Sequence, residues 1–171
     1  MQRRPTLLNS CASAVTAAEA RFRITAAEPA PRVSRVIALD EAAAGLVRGL
    51  AGLPWGGGHF LVYAGEVAAD GGDGGAADAR LTTPDGSQVL LSEELAGADV
   101  AVMIATGQAG PEPAEVIGDA CAQRQIASAG LVVTDGGRAD AVVAALRPNA
   151  MVLVVLPDSG DIPGILSALR V

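Results

Sequence analysis

Val36-Ile37-Ala38-Leu39-Asp40-Glu41 is a short apolar run that meets two acids and opens into Ala42-Ala43-Ala44. The same phrase recurs along the chain. Val100 to Ala105 passes through Thr106-Gly107-Gln108-Ala109-Gly110 to Pro111-Glu112-Pro113-Ala114-Glu115. Leu131-Val132-Val133-Thr134 meets Asp135, and Met151 to Pro157 meets Asp158 and Asp161. Apolar runs of this length without polar alternation are strands buried on both faces. Strands alternating with helical stretches predict an α/β fold: a mostly parallel, Rossmann-like sheet of about five strands, flanked by helices.

Working outward, Arg32 to Leu39 reads as the first strand. Glu41 to Ala51 follows as a helix with Ala44, Val47, Leu50 and Ala51 on one face. A second strand is expected over His59 to Ala64, after the loop Pro54-Trp55-Gly56-Gly57-Gly58. Arg80 to Ser92 encloses Pro84-Asp85-Gly86-Ser87, a turn signal that predicts a β-hairpin insertion. Ser92-Glu93-Glu94 should open a helical turn, with the serine as its cap. Further helices are expected over Pro111 to Arg124, Ala139 to Arg147 and Ile162 to Leu169, and further strands at Val100, Ala129 to Thr134 and Met151 to Leu156. Residues 1–30 lack a clear period and read as a flexible N-terminal arm; residues 31–171 read as a single α/β domain. The glycine tract Gly71-Gly72-Asp73-Gly74-Gly75 is expected to be a loop within that domain.

Composition narrows the chemistry. The chain has 171 residues, half of them hydrophobic but only 2% aromatic, so its core must be built from Ala, Val, Leu and Ile. All 12 basic residues are arginine, which with the Ala and Gly excess suits a GC-rich bacterial coding bias. The absence of lysine removes Schiff-base chemistry and a Walker-type phosphate lysine. A net charge of −7 argues against nucleic acid and against anionic membrane surfaces as partners. Cys11 and Cys121 make no disulfide framework; Cys121 falls on a helix's apolar face, and a reducing, cytoplasmic setting is expected. The apolar segment after Arg3-Arg4 is shorter than the roughly 7–15 residues of a secretory leader, and no run reaches the roughly 18 apolar residues of a membrane span.

The acids that close the strands are the candidate metal ligands. Asp40, Asp135 and Asp158, with Asp161 nearby, could gather at the carboxyl edge of the sheet and hold Mg²⁺. The competing reading is helix capping, which places Asp at the same positions and outweighs metal binding here. Gly107 and Gly110 are the candidate ligand-loop glycines, since they let the backbone turn tightly toward a bound group. Glu112 and Glu115, in the first turn of the helix behind that loop, would repel an anion. The lone histidine, His59, has no Cys or Glu at ligand spacing and reads as an edge or turn residue. No serine sits in a nucleophile elbow, and no catalytic residue is assigned.

The span from Ala98 to Thr134 resembles the GTPase domain of the tubulin and FtsZ family. Ala98-Asp99 precedes the strand Val100-Ala101-Val102-Met103-Ile104-Ala105, then come Gly107 and Gly110, Ile126 and Leu131-Val132-Val133-Thr134. Leu146-Arg147-Pro148-Asn149-Ala150 and the strand that runs to Pro157-Asp158 are similar to the family's next helix end, strand and turn, and Glu93-Glu94-Leu95-Ala96-Gly97 to the helix before its phosphate loop. The first half follows only in element order. Where the family carries a glycine-run loop, this chain has Asp40-Glu41-Ala42-Ala43-Ala44-Gly45. Gln108, Ala109, Pro111, Glu112 and Pro113 replace the phosphate-loop glycines and threonines. The resemblance therefore implies a retained scaffold with a lost nucleotide site. Only Gly107 and Gly110 map onto ligand-loop positions.

The function expected is a non-catalytic interaction or assembly module without a cofactor, taking a protein partner or self-associating. The alternative is an Mg²⁺-dependent small-molecule or nucleotide-binding enzyme that uses the strand-end acids.

Overall fold

The computed structural model describes residues 30–67, 78–134 and 136–171; residues 1–29 of the expected N-terminal arm, the glycine tract and Asp135 lie outside the described residues. Pro31 to Val171 form one compact unit. Seven strands make a single sheet: β1 (Ser34–Ala38), β2 (Gly58–Val67), β3 (Asp78–Thr82), β4 (Gln88–Leu90), β5 (Val100–Thr106), β6 (Ala127–Val133) and β7 (Val152–Leu156). Among the described residues five α-helices accompany them: α1 (Glu41–Ala51), α2 (Leu91–Leu95), α3 (Glu112–Arg124), α4 (Asp140–Leu146) and α5 (Ile162–Ala168).

The strand order is β4-β3-β2-β1-β5-β6-β7. β2, β1, β5, β6 and β7 pair in parallel, whereas β3 runs antiparallel to β2 and β4 antiparallel to β3. The α/β class is as expected, but a sheet of about five strands is corrected to a mixed sheet of seven. The hairpin foreseen as an insertion hydrogen-bonds through β3 to the free edge of β2, and so becomes part of the sheet. Its turn is held by Asp85, which accepts from Thr83 Oγ1 and from Ser87 N; these bonds hold the Asp85 carboxyl below its ordinary range.

Side-chain alternation builds a three-layer core. Val36, Ala38, Val100, Val102 and Ile104 face α1 and α5, meeting Ala43, Ala44, Val47, Leu50, Ile162 and Leu166. Ile37, Leu39, Ala101, Met103 and Ala105 face the other way, toward Leu91, Leu95, Ile117, Cys121, Val142 and Leu146 of α2, α3 and α4. Small side chains bring the layers close: a Cβ on Gly118 of α3 would stand 2.5 Å from Asn149 Cβ, and one on Gly130 of β6 would stand 2.9 Å from Leu153 Cδ1. Trp55 packs half-buried against Phe60, ring centroids 5.7 Å apart, and donates from Nε1 to Leu50 O at 2.7 Å. Among the described residues, no helix is long and apolar enough to cross a membrane.

Candidate functional site

The parallel strands reverse direction of addition at one place. From β1 the chain adds β2 on one side, then returns to lay β5 on the other. In doubly wound sheets the carboxyl ends of two such strands part there and leave a crevice, the usual seat of a ligand. Here those ends carry Asp40, after β1, and Thr106, the last residue of β5.

Asp40 occupies that crevice with its own hydrogen bonds. Its backbone is extended and it caps α1, Oδ1 accepting from Ala43 N at 2.9 Å. Oδ1 also accepts from Thr106 Oγ1 at 3.0 Å, and Oδ2 accepts from Thr106 N at 2.7 Å. A single half-buried carboxylate thus satisfies a helix start and the end of the neighbouring strand. A cation there would compete with three donors already in place.

Asp158 and Asp161 do not join it. Asp158 follows β7, three strand spacings from β1, or about 14 Å across the sheet. It caps its own short turn, Oδ1 accepting from Gly160 N at 2.7 Å. Asp161 stands at the start of α5 without a side-chain cap bond. Asp135 lies outside the described residues, and among those described no group of three His, Cys, Asp or Glu side chains could hold a metal ion.

The glycine loop is set by packing. A Cβ on Gly107 would stand 2.9 Å from Arg138 O, so the loop after β5 rests directly on the loop after β6. Gly110 is exposed, with nothing within 4 Å of where its Cβ would be. Behind the loop, Pro111 holds the cap position of α3 in helical conformation without a side-chain bond, and Glu112 and Glu115 fill its first turn. Glu112 is engaged from β2: Tyr63 Oη donates to its Oε1 at 2.7 Å. The positive end of α3 therefore faces carboxylates.

At the opposite end of the sheet lies a cluster that sequence reading missed. Arg35 and His59 are register partners on β1 and β2, and both reach Glu94 of α2. Arg35 Nε lies 2.8 Å and His59 Nδ1 2.7 Å from the same oxygen, Glu94 Oε2. Arg35 Nε is buried and its N–H is not aimed at that oxygen, so the contact is an ion pair without hydrogen-bond alignment. The Glu94 and Arg35 side chains are only 11% and 13% exposed. The one sequence signal was an arginine inside a buried strand.

The expected serine cap of α2 is also corrected. Leu90 holds the cap position without a side-chain bond, and Ser92 instead donates from N and Oγ to Asp78 of β3. A carboxylate from the hairpin thereby replaces the local cap. Two open depressions, about 530 and about 510 Å³, lie beside α4 and at the amino ends of β6 and β7. Neither is lined by Asp40, Thr106 or Gly107. No family model, curated protein or solved structure matches this chain.

Proposed function

We propose that this chain is a non-catalytic interaction or assembly module, an α/β scaffold that works through its surface rather than through a reaction centre. The observation that carries the reading is the clasp of Asp40 on Thr106 and Ala43, which fills the crevice where doubly wound sheets receive ligands. Three further features support it. The loop behind β5 is packed on Arg138 rather than held open. The first turn of α3 carries Glu112 and Glu115 where a phosphate would have to settle. And the chain has no lysine to balance a triphosphate.

On this reading the resemblance to tubulin and FtsZ domains belongs to a scaffold that has given up its nucleotide. Titration calorimetry with GTP, ATP and Mg²⁺, singly and together, is expected to give no heat beyond dilution. Turnover of either nucleotide, or binding in the micromolar range, overturns the proposal and favours an Mg²⁺-dependent enzyme built on the strand-end acids.

A further inference from the structure

We infer that the β7 edge is a self-association surface: β7 of one copy pairs antiparallel with β7 of a second copy about Val154, continuing the sheet across both. The inference rests on the assembly reading above and gives it a place and a partner.

Among the described residues β7 ends the sheet, with β6 on one side and no strand on the other. The Leu156 carbonyl accepts from Thr134 N and Thr134 Oγ1, which turns that peptide toward β6. By strand alternation the peptide groups of Leu153 and Val155 then turn outward. Antiparallel pairing about Val154 sets Leu153 of each copy opposite Val155 of the other. These are hydrogen-bonded positions, and they close about four main-chain bonds.

The two sheet edges are built differently. β4, at the far edge, is only Gln88–Leu90, and short edge strands are an ordinary guard against pairing. The β7 edge is Val152-Leu153-Val154-Val155-Leu156, with no charge, proline, glycine or bulge. Among the described residues, Met151, Val152 and Val155 are three of the five exposed large hydrophobics, at 79%, 50% and 49%. Exposed apolar surface is thus concentrated at the unguarded edge.

Charge selects a second copy, and selects its direction. Arg147 lies just before β7, and Asp158 and Asp161 lie just after it. None of the three makes an ion pair among the described residues. A two-fold antiparallel arrangement brings Arg147 of each copy to the end where the other copy carries Asp158 and Asp161. Parallel pairing would set like charges together. Such an interface is isologous and closes at a dimer, leaving no β7 edge exposed.

Sedimentation velocity of the 171-residue chain over about 5–500 µM tests the inference, since strand pairing with a small apolar margin belongs to the weak, reversible class. A monomer–dimer equilibrium is expected. Val155→Lys should remain monomeric throughout, with an unchanged circular-dichroism spectrum. Arg147→Asp alters only an exposed side chain and should weaken association about tenfold or more, and Arg147→Asp with Asp161→Arg should restore it. A monomer at every concentration overturns the inference, as does a dimer indifferent to Val155→Lys. So does a monomer whose Val155 amide is protected from exchange, because the edge is then covered from within the chain. All three outcomes leave the non-catalytic reading standing. Nucleotide turnover by an intact, Val155-dependent dimer overturns that reading and leaves the edge assignment in place.

Discussion

Asp40 and Thr106 are 66 residues apart in sequence and joined by two hydrogen bonds, from Thr106 N at 2.7 Å and Thr106 Oγ1 at 3.0 Å. Because Asp40 also caps α1, one carboxylate ties the first β–α unit to the neighbouring strand β5. Asp40→Ala removes a helix cap, generally about 0.5–2 kcal/mol, and leaves the Thr106 donors without a charged acceptor. The expected loss is about 2–3 kcal/mol in urea unfolding. Thr106→Val, which deletes the hydroxyl's bond to Asp40 and the long bond it accepts from Gln108 N but keeps the Thr106 N bond, should cost about 1 kcal/mol. A cap-sized loss in Asp40→Ala beside no loss in Thr106→Val would mean that Asp40 acts only as a cap.

Gly118 and Asn149 set the approach of α3 to the turn between α4 and β7. A Cβ on Gly118 would meet Asn149 Cβ at 2.5 Å, Oδ1 at 2.6 Å and Cγ at 2.7 Å. Gly118→Ala should therefore destabilise by about 1–3 kcal/mol despite alanine's better helix propensity. The clash is with Asn149 Cβ itself, so adding Asn149→Ala should not relieve it, whereas adding Asn149→Gly should recover part of the loss. Thermal unfolding of the three variants decides the matter. Rescue by Asn149→Ala would show that the side-chain amide, not the backbone approach, sets the limit.

What the sequence disclosed and withheld follows from range. α1 is legible to the residue because a 3.6-residue period and Asp40 define it locally. The parallel strands are legible as apolar runs, and the hairpin turn as Pro84-Asp85-Gly86-Ser87. That β3 docks on β2 is not legible, because pairing depends on which edge is free in three dimensions. Asp40 is legible as a cap but not as a clasp on Thr106. Gly107 can be picked out as a glycine its loop requires, but its reason is the Arg138 carbonyl from another loop. The Arg35, His59 and Glu94 cluster needed the β1–β2 register and the position of α2 together, and local spacing carries neither.

Cys121 is 1% exposed on α3, and burial pushes its thiol up from an ordinary 9.0 to about 11, with Arg124 opposing. The native state therefore holds this proton at a pH where the unfolded chain has released it. Its contribution to stability is fully present below about pH 9 and is lost as pH rises toward 11. Unfolding free energy should fall across that window, and fall less steeply in Cys121→Ala. In a Cys11→Ser background, iodoacetamide at neutral pH should label Cys121 only as fast as the protein unfolds. Rapid labelling of the folded chain would contradict the burial.

Glu94 faces the Arg35 guanidinium at 2.8 Å and the His59 imidazole at 2.7 Å, with the arginine enclosed under α2. Removing the acid alone strands a largely buried guanidinium, so Glu94→Ala should cost about 2–4 kcal/mol. Replacing both members of the buried pair removes the stranded charge: Arg35→Met with Glu94→Met should cost clearly less than Glu94→Ala. His59→Gln, at a site 56% exposed, should change stability by under about 1 kcal/mol. Urea unfolding at one pH and two salt concentrations reads all three variants, and the Glu94→Ala loss should persist at high salt because the pair is shielded from solvent. If the double variant is as unstable as Glu94→Ala, the ion pair itself, not relief from an unpaired charge, is what the fold cannot spare.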